Sequence, residues 1–547
     1  MAASGATAAA AVCWPFALWL PQGQPVWWLQ MLAMMPLFIA LRHCASAAHA
    51  LWRGTLYAAG WLCATFWWLY VAMHHYGGLP AALAAVAVLA LALALALYYG
   101  AASALFWKVK ARSPALAAAL FAALWTLAEM ARGTWLTGFG WGAMAYAHTE
   151  GPLSVWIPVL GAYGLGVLAV WCSASLAQIA RAGWLHRLIL ATLLMVGLLP
   201  YEWTSTTSTG TLSVALLQGN IPQDEKFDSG SGVPLALHWY AQHMQQAQVD
   251  LVLAPETAIP LLPQELPPGY WESLSLQVAN GPSAMLTGIP LGDYEQGYTN
   301  SVVARAPGSG ATWRYDKHHL VPFGEFIPPL FKWFTRMMNI PLGDFNRGAL
   351  GQPSFAWKGQ RIAPNICYED LFGEELGARF YEPALAPTVF ANVSNLGWFG
   401  NTVAIDQHLQ ISRMRALEFE RPFLRATNTG ATVIIDHQGR VQASLPRLTQ
   451  GVLLGTVEGR TGTTPYAWWV SRFGLWPVWA LALAVLAAAV WRSATTGVSS
   501  VGSAPVELGV STRAASGSPP HHAYLSANHS QTAELLGRPG LRTVATL

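Results

Sequence analysis

The stretch RIAPNICYED, residues 361–370, sets an apolar, strand-like run directly before one cysteine and two acidic residues. It lies in the longest polar part of a chain that is otherwise 54% hydrophobic. Short apolar runs bounded by Pro, Asn and Asp are typical of buried β-strands. The stretch therefore predicts a strand that ends at Cys367. It leaves open whether this thiol reacts or packs as a small apolar group.

The same pattern extends over residues 211–460, where short apolar runs are separated by Gly, Pro, Asn and Asp. Residues 404–422, AIDQHLQISRMRALEFERP, have apolar side chains at helical spacing. Strands that alternate with helices over about 250 residues predict one α/β domain of ordinary size. The candidate strands are LSVALLQ, VDLVLA, AMLTGI, NSVVAR, TWRYD, RIAPNI, PTVFANV and ATVIID.

Both ends of the sequence carry long apolar segments, and only 10% of the 547 residues are charged. A bilayer core about 30 Å thick needs roughly 20 apolar residues per helix, so these segments predict a polytopic membrane protein. We expect about eight transmembrane helices, the first of them uncleaved. Their predicted spans are 7–21, 25–42, 54–75, 79–107, 114–131, 153–180, 186–202 and 473–491.

These spans predict four regions. Seven transmembrane helices occupy residues 1–203, the α/β domain follows at 204–465, and an eighth helix occupies 466–492. Residues 493–547 are rich in Ser, Thr, Gly and Ala, which predicts a disordered tail. Lys and Arg cluster in alternate short loops, and this bias predicts that both termini are cytoplasmic and that the α/β domain lies on the far side, the periplasm of a bacterium.

Composition also excludes several classes of protein. The net charge of +3 is small for 547 residues, and no basic run with interleaved aromatic residues occurs, so we expect no nucleic-acid partner. The histidines do not have the spacing of zinc ligands, so we expect no metal. The sequence has no phosphate-binding glycine loop of P-loop or dinucleotide type. Four of the five cysteines lie in or beside apolar segments, which leaves Cys367 as the only thiol of the polar region.

Three stretches of the α/β region place a reactive residue after an apolar run: Glu256 in VLAPETAIP, Lys317 in WRYDKHHLVPFGEF, and Cys367. A thiol nucleophile needs a base, and acyl transfer needs a donor where the oxyanion develops. A nearby lysine, and a helix that begins at YEDLF, would lower the pKa of the thiol. The residues alone also permit structural roles: a helix cap for Glu256, a solvated loop position for Lys317 and core packing for Cys367.

The sequences APET, YDKHHLVPFGEFIP and ICYED, in this order, resemble the three catalytic stretches of the nitrilase superfamily. The resemblance is closest to the bacterial apolipoprotein N-acyltransferases and covers about residues 10–491. It extends to SNLGWFG (394–400), HLQISRMRALEFERPFLRATNTG (408–430), YGGLP (76–80) and RGTWLTGFGWG (132–142). It implies a nitrilase-like αββα sandwich as the α/β domain, and it implies that Cys367 is the nucleophile, Glu256 the general base and Lys317 the residue that stabilises the tetrahedral intermediate.

The resemblance also assigns supporting residues. Glu325 in PFGEF, with Tyr368 and Glu369 beside the cysteine, match positions that the family needs for activity. One position departs from the family pattern, because Phe227 stands where a tryptophan is usual. The aromatic face is retained there, but the indole N–H is lost.

The reaction implied by the resemblance is ping-pong acyl transfer without a cofactor. Cys367 would take an acyl group from a membrane phospholipid as a thioester, and the N-terminal amine of a diacylated apolipoprotein would accept it. We expect a monomer in the bacterial inner membrane. The apolar, proline-broken segment 320–345 is expected to contact lipid.

Two other functions fit the same residues. A membrane-tethered nitrilase or amidase would use the same three residues to hydrolyse a small C–N substrate, although the apolar segment 320–345 argues against it. A lipid transporter would use the α/β domain only to bind ligand. The predicted spans carry few ionisable residues apart from Glu129 and Arg132, for which we expect a structural pairing, and this argues against transport.

Overall fold

The computed structural model describes residues 1–18, 20–111, 113–199, 204–327 and 344–498. Its first part is helical, and a π-helical turn at Ala72–Tyr76 follows the fourth helix. Apolar side chains on all sides of the long helices suit a lipid environment. The helices are α1 Ala2–Ala10, α2 Trp27–Arg42, α3 Ala47–Phe66, α4 Leu69–Val71, α5 Ala81–Val109, α6 Pro114–Thr134, α7 Ile157–Ala177 and α8 Trp184–Val196.

Four helical segments of the described chain are long and apolar enough to cross a membrane, and a bent pair formed by 47–66 and 69–76 gives a fifth. Helices α2 and α8 are apolar but shorter. The first predicted span is wrong as a single helix, because α1 ends at Ala10 and turns follow it. The count of eight spans stays a prediction. The four segments are Ala81–Val109, Pro114–Thr137, Ser154–Ala177 and Trp476–Thr495.

The α/β region contains two six-stranded sheets, in the orders β12-β1-β2-β3-β4-β5 and β11-β10-β9-β8-β7-β6. Strands β1, β2 and β3 are parallel in the first sheet, and β7, β8 and β9 are parallel in the second. The strands are β1 Thr206–Gln218, β2 Leu251–Leu253, β3 Ala284–Asp293, β4 Gly297–Arg305, β5 Trp313–Asp316, β6 Phe355–Trp357, β7 Gln360–Ile366, β8 Val389–Ser394, β9 Phe423–Thr427, β10 Val433–Ile435, β11 Val441–Ser444 and β12 Gly451–Gly462.

Helices cover both outer faces of the paired sheets. They are α9 Gly232–Gln246, α10 Tyr270–Asn280, α11 Gly373–Gly377, α12 Ala404–Phe419 and α13 Pro465–Phe473, and α14 Trp476–Val498 ends the described chain. In β7, Ile362 and Ile366 point into a core shared by the two sheets, while Ala363 packs in the helical layer on the other face. This alternation, with period two, makes the strand part of an αββα sandwich. The predicted nitrilase-like sandwich is confirmed.

The α/β sandwich packs directly against the helical part of the chain. Tyr368 and Phe372 belong to the same apolar core as the long helices. Gln407 of α12 accepts hydrogen bonds from the indole Nε1 of Trp68 (3.0 Å) and Trp141 (2.8 Å). Buried bonds of this kind fix one docking geometry, because each would be costly to leave unmade.

Glu129 and Arg132 of α6 are both buried, but in the described structure they do not form an ion pair with each other. Arg132 Nη1 donates to the carbonyls of Phe139 (2.6 Å) and Trp141 (2.9 Å), and Glu129 Oε1 accepts from the Met144 amide (2.9 Å). The expected direct pairing is wrong. Each charge instead holds the loop that follows α6, which lies against the α/β region.

Residues 499–547, most of the predicted tail, lie outside the described residues. Helix α14 continues to Val498, beyond the predicted boundary at 492. Of the predicted lipid-contacting segment 320–345, residues 328–343 also lie outside the described residues.

Candidate active site

Cys367 follows β7 directly and begins a five-residue 3₁₀ helix, Cys367–Leu371. Its φ of +51° is left-handed, a conformation that costs a non-glycine residue on the order of 1–3 kcal/mol. The surrounding fold holds the residue there, because its carbonyl accepts from Asn392 Nδ2 at 3.1 Å and lies 3.2 Å from His408 Nε2. The thiol is therefore fixed at the point where the strand ends.

Glu256 lies just after the end of β2 in the other sheet. Gly288 of β3 permits this turn, because a Cβ there would lie 2.7 Å from the Glu256 Cα. The buried carboxylate accepts from Asn300 Nδ2 at 2.7 Å and from the Asn395 amide at 3.0 Å. The residues after Glu256 form turns and bends, so the alternative role as a helix cap is wrong.

Lys317 follows β5, whose end lies at the same sheet edge as that of β2, because β3, β4 and β5 are successively antiparallel. Its side chain is completely buried, which contradicts the alternative of a solvated loop residue. The ammonium lies 2.8 Å from Glu325 Oε1 and 3.4 Å from Glu256 Oε1. Burial alone would lower the pKa of Lys317, but the two carboxylates raise it above its usual value, so the group is charged at neutral pH.

The thiol of Cys367 is neutral in the resting site. Burial raises its pKa to about 12, and Glu256 acts in the same direction. Lys317 and a hydrogen bond with Ser394 lower the pKa of the thiol. Their combined effect is smaller than the increase caused by burial and the Glu256 carboxylate. Lys317 thus lowers the pKa of the thiol as expected, but the net pKa is raised, because burial and Glu256 outweigh the lysine. A neutral thiol at pH 7 needs a base to become nucleophilic.

Glu325 and Glu369 hold the residues of the site in place by accepting hydrogen bonds from their neighbours. Glu325 Oε2 accepts from the Val321 amide at 2.8 Å, while its Oε1 accepts from Asn300 Nδ2 at 2.7 Å in addition to Lys317. Glu369 is buried and accepts from the Tyr315 hydroxyl (2.9 Å) and the amides of Ile366 (2.7 Å) and His318 (2.6 Å). Its carboxylate thus ties the ends of β5 and β7 together, which sets the positions of Lys317 and Cys367.

Tyr368 joins the site to the helical part. Its hydroxyl donates to the Gly138 carbonyl at 3.0 Å, and its ring stacks on Phe139 with centroids 6.4 Å apart. Phe227 is half-buried, and its ring centroid lies 5.9 Å from the neighbouring Lys226 ammonium. The role of Phe227 stays a prediction.

Some residues of the site were missed from sequence. Asn300 begins the predicted strand NSVVAR, and Asn395 lies in SNLGWFG, a stretch whose only signal is its resemblance to the family. Lys226 lies beside Phe227, and the sequence predicts a role only for the aromatic residue. Asparagine is frequent in turns and lysine is mostly exposed, so no signal in the sequence marks these three residues as buried partners of Glu256.

A buried charged network lies next to the turn that carries Cys367. Asp370 contacts His408 Nε2 at 2.7 Å, Ser412 Oγ at 2.6 Å and Arg425 Nη1 at 3.2 Å, and the side chains of Asp370, His408 and Arg425 are fully buried. Because His408 also contacts the Cys367 carbonyl, the network fixes the turn that carries the thiol. Within the described chain, no group of three His, Cys, Asp or Glu side chains could hold a metal ion.

Breaking this network should destabilise the protein strongly. We expect Arg425→Met to cost about 3–5 kcal/mol, because it leaves the buried Asp370 charge without its cationic partner. The measurement is the midpoint of thermal unfolding of the full chain in detergent. Arg440→Met is the control, since Arg440 also pairs with an aspartate, Asp436, but its side chain is 69% exposed. Equal shifts for the two variants would contradict the structural role of Arg425.

The helical part and the α/β part of the chain each match a different family model. Residues 9–175 match the family model for the apolipoprotein N-acyltransferase N-terminal domain, and residues 213–466 match the carbon-nitrogen hydrolase family model. A carbon-nitrogen hydrolase from Helicobacter pylori is 15% identical, with a TM-score of 0.33, and the match covers 49% of this chain and 94% of that one. The two family models define the class: a carbon-nitrogen hydrolase-type domain joined to an apolar helical domain.

Proteins that are similar to this chain over most of its length assign it to one family. The apolipoprotein N-acyltransferase of Verminephrobacter eiseniae is 56% identical, and the match covers 86% of this chain and 92% of the relative. The apolipoprotein N-acyltransferases of Ralstonia nicotianae and Chromobacterium violaceum are 44% and 39% identical, and each match covers 86% of this chain and 90% of the relative. The chain belongs to the apolipoprotein N-acyltransferase family.

Proposed function

We propose that this protein transfers a fatty acyl group from a membrane phospholipid to the N-terminal amine of S-diacylglyceryl-cysteine in apolipoproteins, through a thioester on Cys367. The observation that carries the proposal is the buried pairing of Lys317 with Glu256 and Glu325, whose charges act on the Cys367 thiol. A base, a cation and a thiol in one buried place are the groups that covalent acyl transfer requires.

In the first half-reaction, Glu256 takes the proton of the Cys367 thiol as the sulfur attacks the carbonyl carbon of a phospholipid ester. The carbonyl oxygen becomes an oxyanion, which the Lys317 ammonium stabilises. The intermediate collapses when the ester C–O bond breaks, and Glu256 returns the proton to the departing lysophospholipid oxygen. A resting thiol with a raised pKa suits this sequence, because the proton leaves sulfur only as the base accepts it.

In the second half-reaction, the neutral α-amine of the apolipoprotein attacks the thioester carbonyl. Lys317 again stabilises the oxyanion, Glu256 takes a proton from the attacking nitrogen, and the C–S bond breaks. The thiolate of Cys367 then regains the proton from Glu256, and the product is an N-acylated, triacylated lipoprotein. Glu325 holds the Lys317 ammonium at 2.8 Å through both steps, so the cation stays in place while Glu256 is protonated.

The proposed setting is the bacterial inner membrane, with the α/β domain in the periplasm, both termini in the cytoplasm and the chain a monomer. The alternating distribution of Lys and Arg among the short loops supports this orientation. An apolar helical domain beside the catalytic sandwich would keep both lipidated substrates within reach of Cys367. The contact from Tyr368 to the Gly138 carbonyl gives such a link between the two parts.

The proposal predicts a covalent intermediate on the protein. Purified protein incubated with phospholipid should gain the mass of one acyl group on Cys367, and a diacylated lipopeptide should remove it, because the amine is the second substrate. Intact-mass spectrometry before and after addition of the lipopeptide measures both steps. Rapid hydrolysis of small amides without an adduct would favour the amidase alternative, and an absence of any covalent chemistry would favour a transporter.

A further inference from the structure

A second lysine is buried beside the proposed base. Lys226 lies in the turn after β1, and only 2% of its surface is exposed. Its Nζ donates to the main-chain carbonyl of Glu256 at 3.1 Å. An ammonium has three N–H donors, and one hydrogen bond to a neutral carbonyl does not compensate its burial. Its contact with Glu256 and its electrostatic interaction with Cys367 therefore call for a further role.

The charged groups around the Cys367 thiol indicate what the further role of Lys226 is. Among the described residues, three buried carboxylates surround the Lys317 ammonium: Glu256 and Glu325 in direct contact, and Glu369 at longer range. If Lys317 were the only cation, the three ionised carboxylates and its ammonium would together carry a net negative charge. Such a charge opposes formation of both a thiolate and an oxyanion. The Lys226 ammonium reduces it by one unit.

We propose that Lys226 is a second cationic residue of the active site, which fixes the Glu256 main chain and favours the thiolate form of Cys367. The inference rests on the proposed function, in which Cys367 is the nucleophile. Lys226 acts through Glu256 and Cys367 and not on the substrate, so it is a positioning residue.

The pKa of Lys226 makes this role dependent on pH. Burial lowers the pKa to about 8, and the opposing effects of Glu256 and Cys367 are smaller. The charge is therefore present below about pH 8 and is lost above it. The other charged groups of this region are Lys317, which contacts Glu256, then Glu325, which contacts Lys317, and the exposed acids of its own turn, Asp224, Glu225 and Asp228.

The test is the rate at which iodoacetamide alkylates Cys367 in the full-length protein in detergent, from about pH 6 to about pH 10, since the thiolate is the reacting form. Mass spectrometry of the peptide that contains Cys367 separates this thiol from the other four. The wild type is compared with Lys226→Met, which removes the charge and keeps the length, and with Lys226→Arg, which keeps the charge throughout this range. Lys358→Met, which removes an exposed lysine of the same domain, is the control.

Below about pH 8, we expect the wild type to react roughly three- to tenfold faster than Lys226→Met, equivalent to a shift of about one pKa unit or less. This ratio should fall towards one as the pH rises through about 8, because the wild-type lysine loses its charge. Lys226→Arg should keep its advantage over Lys226→Met across that range, and Lys358→Met should follow the wild type.

A ratio that stays the same at every pH would overturn the proposal, because a purely structural defect does not follow the charge of Lys226. If Lys226→Met fails to fold, the wild type alone provides the test: its rate should rise less steeply with pH around 8 than below it, and an unbroken rise would contradict the proposal. The alkylation needs no lipid, so a failure of the proposed acyl transfer is recognised separately, by the missing acyl adduct on Cys367.

Discussion

Replacing Cys367 with alanine should abolish the acyl adduct and lower lipoprotein N-acylation by about 10⁴-fold or more, the loss expected when a covalent nucleophile is removed. The cysteine side chain is the acyl carrier in the proposed reaction, and no other described group near Glu256 and Lys317 can form a thioester. The measurement combines intact mass after incubation with phospholipid and the rate of N-acylation of a diacylated lipopeptide.

Two variants control this result. Cys44→Ala removes a half-buried thiol of the helical part and should leave both readouts unchanged. Cys367→Ser keeps the size and a hydroxyl in place of the thiol, but a hydroxyl is a much weaker nucleophile at neutral pH. An acyl adduct of full yield on Cys367→Ala would show that another residue carries the acyl group.

Replacing Glu256 with glutamine should slow formation of the acyl adduct by about 10²- to 10⁴-fold, the usual contribution of a positioned general base. Glutamine retains the shape of the side chain and can still accept from the Asn395 amide, but it cannot take the proton of a thiol whose pKa is raised to about 12. The change also removes one of the two carboxylates that contact Lys317. Time-resolved intact mass measures the rate.

The matched control for this variant is Glu272→Gln, which makes the same change on the exposed side of α10. Its adduct should form at the wild-type rate. A thermal midpoint of Glu256→Gln close to that of the wild type would separate loss of the base from loss of the fold. Wild-type kinetics of adduct formation in Glu256→Gln would refute the assignment of Glu256 as the base.

Much of the α/β fold could be predicted because its central strands are buried on both faces. Strand β2 is a continuous apolar run, β7 and β8 contain the apolar stretches IAP and VFA, and all three occur close to the predicted positions. Strand β12 was not predicted, because its sequence GVLLGTVEGRTG contains four glycines and one of its faces is largely exposed. Its pairing with β1 decides that it is a strand, and this long-range contact leaves no local signal.

In the helical part, apolar composition predicted the long helices well and their ends less well. The first predicted span ends as a helix at Ala10, where the chain turns. The third is bent by 59° between 47–66 and 69–76. Hydropathy measures only whether a segment prefers an apolar environment. It does not register where packing against neighbouring helices interrupts the helix.

The sequence by itself determined the class of the protein: an apolar helical domain, an α/β domain, and an ordered series of Glu256, Lys317 and Cys367 at strand ends. Residue type and spacing are local properties, so one sequence can show them. Only the tertiary structure decided which groups share the buried site, since Asn300, Lys226 and the Asp370 network come from distant segments. It also decided that the resting thiol is neutral, because burial and surrounding charge, which set a pKa, exist only once the chain is folded.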